Sequence, residues 1–137
     1  MSLVGFPLLL IPFAIYNIVA FLIPIDWATS LTRVQMASGV EWTMSPSDFL
    51  ISLAIFMLFG ELMKSTRIGI RSVVDHGLSL LLFIAMIIEF ILVKQAATST
   101  FFLLLVIGLV DVVGGFAVTL RTSQRDLTIE GTDRLIS

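Results

Sequence analysis

FFLLLVIGLVDVVGGFAVTL, residues 101–120, holds a single charged side chain, Asp111, among apolar and small residues. A helix rises 1.5 Å per residue, so twenty residues cover about 30 Å, the thickness of a bilayer's hydrocarbon layer. Asp111 would then lie near the middle. An Asp at that depth costs about 2.5–3.5 kcal/mol on insertion scales, which turns it towards protein or water and away from lipid. Gly108, Gly114 and Gly115 stand three or four residues from Asp111, on the same helical face, and small residues let a second helix approach closely. The stretch is expected to cross a membrane with this face as the packing seam of the molecule.

The rest of the composition agrees with a membrane setting. The 137 residues are 58% hydrophobic and 13% charged, with a mean hydropathy of +1.08. Soluble domains carry about 25% charged residues. A net charge of −2 with no clustered basic surface argues against nucleic acid as a partner. Without cysteine there is no disulfide, thiolate metal site, iron–sulfur cluster or cysteine nucleophile. A single histidine cannot supply both axial ligands of a haem, and the six methionines read as packing residues. Neither a metal nor a cofactor is expected.

Hydropathy divides the chain into an all-α membrane protein with four transmembrane helices, at about 4–25, 46–66, 72–93 and 99–120. These form one unit over 1–137, with 121–137 as a polar cytoplasmic tail. The first run has no basic residue before it and no small-residue cleavage site after it, so it reads as a retained span. Pro12 is expected to kink that helix and Pro24 to end it. Trp27 and Trp42 bracket the one long polar connection and read as interfacial anchors. Between them Val34, Met36, Val40, Trp42 and Met44 alternate with polar residues around Ala37-Ser38-Gly39. That pattern suggests a hairpin lying apolar side down on the membrane or on the helices, against the alternative of a short amphipathic helix over 27–36. Ser45-Pro46-Ser47-Asp48 is a helix start, Gly69 marks a turn, and Thr98 or Ser99 caps the last helix.

Four crossings place both termini and the second connection on one side. That side carries Lys64, Arg67, Arg71, Arg121, Arg125 and Arg134, against Arg33 and Lys94 on the other. The positive-inside rule makes the six-residue side cytoplasmic, in an inner or plasma membrane, with the tryptophan loop outside.

Counting along the helices puts Asp111 within roughly 3 Å of the midplane, Glu61 roughly 7 Å to its cytoplasmic side and His76 roughly 10 Å to the same side. Glu61, Asp75, His76 and Asp111, with Lys64 and Arg67, are thus candidates for one intramembrane polar cluster, the kind that relays protons or holds a cation. Simpler assignments exist for most of them. Lys64 can pair with Glu61 three residues away and extend to the headgroups, Asp75 complements a helix N-terminus, and Glu89 near the outer surface can be solvated. Asp111 has no such outlet, and a hydroxyl from Ser52, Ser79 or Tyr16 would satisfy it. No nucleophile elbow, zinc spacing or phosphate loop accompanies these residues, so an enzyme acting on lipid ranks last. The pattern points first to a small non-catalytic multi-pass protein, self-associating or serving as an accessory subunit with other membrane subunits. A proton- or cation-coupled transport protein using Asp111 and Glu61 comes second.

Overall fold

The computed structural model of the chain describes residues 7–23, 25–64 and 70–136, with backbone alone for 70–72, 118, 119 and 121–136. Pro24, Arg67 and Gly69 lie outside the described residues, as do the side chains of Arg71, Arg121, Arg125 and Arg134. In chain order the elements are α1 (Leu10–Leu22), β1 (Thr32–Gln35), β2 (Glu41–Met44), α2 (Pro46–Lys64), α3 (Ile70–Leu92), a 3-10 turn (Lys94–Ala96) and α4 (Ser99–Ile136). Pro46–Lys64, Val73–Leu92 and Ser99–Ala117 are long and apolar enough to cross a membrane. Their outer faces agree with that: Phe56, Phe59, Ile91 and Leu92 are each more than two-thirds exposed. In water so broad an apolar surface would drive association.

α1 is shorter than the apolar run that contains it. It begins at Leu10 and not near residue 4, because Pro7 and Pro12 impose a turn before it. Pro12 falls in the first turn, where its missing N–H would have had no helical partner, so the expected kink does not arise. α4 departs in the other direction. It continues past 120 to Ile136, since 121–136 contains no proline and a helix already nucleated propagates at little cost. The tail that polarity marked off is helical in its backbone.

The connection between α1 and α2 is a hairpin, which settles the choice against a helix over 27–36. Val34 pairs with Trp42 and Gln35 with Glu41, in antiparallel register. Gly39 closes the turn at φ +90, a left-handed conformation that a side chain would strain. Val34, Met36, Val40 and Trp42 stay exposed, so the hairpin's apolar side does not rest on the helices.

Ser45 then starts α2 with a reciprocal capping box: its Oγ accepts the Asp48 N–H while Asp48 Oδ2 accepts the Ser45 N–H. Thr98 does the same work for α4, its Oγ1 accepting the Phe101 N–H at 3.1 Å.

α4 packs along both α2 and α3, and α1 lies against α2. Phe101, fully buried, collects the aromatic part of the core: Phe90 stacks on it at 5.9 Å, and Phe13 and Tyr16 meet it edge-on. Tyr16 is also fully buried, stacked on Trp27 at 4.7 Å, with its hydroxyl 2.7 Å from both the Gln95 carbonyl and Thr98 Oγ1. Thr98 thus serves α1 and α4 at once. Thr98→Ala is expected to lose about 1 kcal/mol for the cap and about 1 kcal/mol for the Tyr16 contact. Thr98→Ser should keep most of both. Unfolding titrated with denaturing detergent and followed by circular dichroism checks the comparison.

Candidate functional site

The glycine face of α4 lies between α2 and α3. A Cβ at Gly108 would stand 3.2 Å from the Phe83 ring of α3, and one at Gly114 would stand 3.2 Å from Leu62 of α2. Gly115 is buried on the same side. Close approach on both flanks leaves Asp111 facing the two neighbouring helices, 5% exposed.

Four more polar groups are buried around it. Relative exposures are 3% for Glu61, 6% for Lys64, 8% for Asp75 and 6% for Ser79, so Lys64 turns into the bundle and does not extend from it. Lys64 Nζ lies 3.4 Å from Glu61 Oε1 and 4.0 Å from Asp75 Oδ1, joining α2 to α3. Ser79 on α3 donates to Glu61 Oε2 at 3.4 Å. The Asp111 carboxyl lies beside this group and feels both Glu61 and Lys64 electrostatically.

A fourth segment closes the cluster. The Leu8 backbone N–H donates to Glu61 Oε1, so the turn that leads into α1 lies over the α2 carboxylate. Gly60 gives the Leu8 side chain room, since a Cβ there would come 2.7 Å from Leu8 Cδ1 and that side chain would have to shift. Glu61 is therefore held from α1's lead-in, α2 and α3, with Asp111 of α4 as its electrostatic neighbour.

Of the residues singled out by sequence, Glu61, Lys64, Asp75 and Asp111 come together. His76 meets the Phe116 ring edge-on, with centroids 6.0 Å apart. Ser79 was visible beforehand only as one of three candidate hydroxyls, and the Leu8 N–H was not visible, since a backbone donor leaves no mark in residue type. Trp27 packs inward on Tyr16, while Trp42 stays on the exposed hairpin. Among the described residues no group of three or more His, Cys, Asp or Glu side chains is placed to hold a metal ion.

The chemistry of the cluster follows from counting hydrogens. A serine hydroxyl has one hydrogen and two lone pairs. Donating to Glu61, Ser79 keeps its two lone pairs free to accept from a neighbouring donor.

No family model, curated protein or solved structure matches the chain.

Proposed function

We infer that the chain is a non-catalytic, four-span inner-membrane protein that binds protons at the Glu61–Ser79–Asp111 cluster and passes them across the bundle. The observation that carries this reading is the pair of buried carboxyls, Glu61 and Asp111, brought from different helices beside Lys64 and Ser79. Intramembrane acids are costly to bury, and groups so placed characteristically serve proton or ion pathways. Lys64 balances part of their charge and Asp75 holds Lys64 in place. The glycine face, which invites association, packs inside the chain at Gly108 and Gly114, and this moves the weight from self-association to the polar cluster.

The fourth span is α1 with its lead-in turn. It runs antiparallel to α2, from Leu8 beside Glu61 towards Trp27, whose carbonyl accepts the Ser47 N–H. The distribution of basic residues supports a cytoplasmic α2–α3 connection with cytoplasmic termini, and an outward-facing hairpin.

The test is proton flux in lipid vesicles carrying the purified protein and an internal pH dye. Wild-type protein is expected to relax an imposed pH gradient, and Asp111→Asn to bring that relaxation down to the level of protein-free vesicles while helix content is unchanged. Wild-type flux no faster than in protein-free vesicles would overturn the reading.

An accessory or self-associating role is the second reading, and one observation favours it. Val34, Val40 and Trp42 form an exposed apolar face on the hairpin, which a partner subunit or the lipid surface could cover. Under that reading, copurification from native membranes in mild detergent yields a recurrent partner that is lost with Trp42→Ser.

A further inference from the structure

A second ionisable group is embedded away from the cluster. Glu89 lies on α3 ten residues beyond Ser79, about 15 Å along the helix axis. The intervening core on that side is apolar, with Met86, Leu104 and Ile107 buried. Asn17 of α1 interacts with the Glu89 carboxyl from across the helix interface.

The pair is incompletely satisfied in a specific way. Asn17 Nδ2 donates to the Phe13 carbonyl at 3.1 Å, which fixes the orientation of the amide. Asn17 Oδ1 and Glu89 Oε2 are both buried and have no hydrogen-bond partner among the described residues. Both are acceptors. What the pair lacks is one donor, and leaving buried acceptors unmet is costly.

One proton supplies it. A carboxylic acid and a primary amide complete each other in a cyclic pair, the amide N–H meeting one carboxyl oxygen and the acid O–H meeting the amide oxygen. The amide's other N–H remains for Phe13. We propose that Glu89 and Asn17 form a second proton-binding site, between α1 and α3 on the hairpin side, in which Glu89 donates its proton to Asn17 Oδ1.

The site has a polar approach. Tyr16, one residue before Asn17, feels the Glu89 carboxyl electrostatically, and its hydroxyl bonds Thr98. Thr98 in turn lines a recess of about 390 Å3 at the hairpin end, together with Asp26 and Asp48. The charged and titratable groups around the site are thus Tyr16 from α1, then Asp26 and Asp48 at the mouth of the recess. The proposal stands on the two buried, unmet acceptors of this pair and does not depend on flux through the Glu61–Ser79–Asp111 cluster.

Infrared spectroscopy of the reconstituted protein at pH 7 tests it, because protonated and ionised carboxyls absorb at separate frequencies. The wild-type spectrum minus that of Glu89→Gln is expected to show the loss of a protonated-carboxyl band, one that Asp111→Asn leaves in place. Asn17→Ala should keep this band and move it to higher frequency as the amide acceptor is removed. Loss of an ionised-carboxylate band in Glu89→Gln would overturn the proposal, and so would an acid band indifferent to Asn17→Ala. Labelling the glutamate carboxyls of the unmutated protein with carbon-13 gives an answer free of any folding defect: the band must shift, and a band that does not shift is equally fatal.

Discussion

Lys64→Met should destabilise the bundle by about 3–5 kcal/mol, the usual consequence of removing one partner from a buried ion pair. Lys64 is the ammonium shared by Glu61 and Asp75, at 3.4 and 4.0 Å, and all three are less than a tenth exposed. Methionine matches the length and shape of the side chain, so the loss isolates the charge. The two carboxyls left behind lose the ammonium they share. Neutralising them as well, in Lys64→Met with Glu61→Gln and Asp75→Asn, should restore most of the stability, because the cost lies in unpaired charge and not in lost volume. Detergent-titrated unfolding of the single and triple variants measures both. A loss below about 1 kcal/mol in the single variant is what an exposed pair would give, and would mean that Lys64 reaches the headgroups.

Gly108→Leu has the second large effect, expected at about 3 kcal/mol or more. The first added carbon already meets the Phe83 ring at 3.2 Å and Met86 Sδ at 3.8 Å, and a leucine extends further into the same space. Overpacking a filled core costs about 1–3 kcal/mol where the neighbours can shift, and occasionally more. Phe83 is a flexible neighbour, so Gly108→Ala should be mild. The leucine must push α4 away from α3, and the loss should extend to the placement of Asp111 beside Glu61 and Lys64. Gly77 is the internal control. It is exposed on α3 with nothing within 4 Å of the Cβ position, so Gly77→Ala should raise stability by up to about 1 kcal/mol through helix propensity. Equal losses at the two positions would show that backbone freedom, and not close approach, explains the glycines.

The broad fold was readable from residue types because membrane helices advertise themselves locally. An unbroken apolar run marks α3 and the first half of α4, the Ser45–Asp48 box marks the start of α2, and strict alternation about Gly39 marks the hairpin. Each signal lies within a few residues of the feature it specifies. What escaped was set by distant or unmarked groups. The lead-in turn to α1 is anchored through a backbone N–H, on a carboxylate 53 residues away and beside a glycine. Lys64 is drawn inward by Asp75 on the next helix, where its own helix gave it only Glu61 and an escape to the headgroups. Asn17 and Glu89 each look ordinary alone, and their meeting depends on how α1 is laid across α3. The far end of α4 escaped for another reason: polarity reports where a bilayer ends, not where a helix does.

The way α1 is fastened bears on how the molecule is made. Its two ties reach forward along the chain, from Leu8 to Glu61 and from Tyr16 to Thr98, separations of 53 and 82 residues. Ribosomes add about 5–20 residues per second, so the first segment to emerge waits roughly 4–16 s before its tyrosine can meet its threonine. Until residue 61 is made the segment has neither partner, and a nascent chain halted before that point should leave it open to capture by insertion chaperones or to exchange with a second polypeptide.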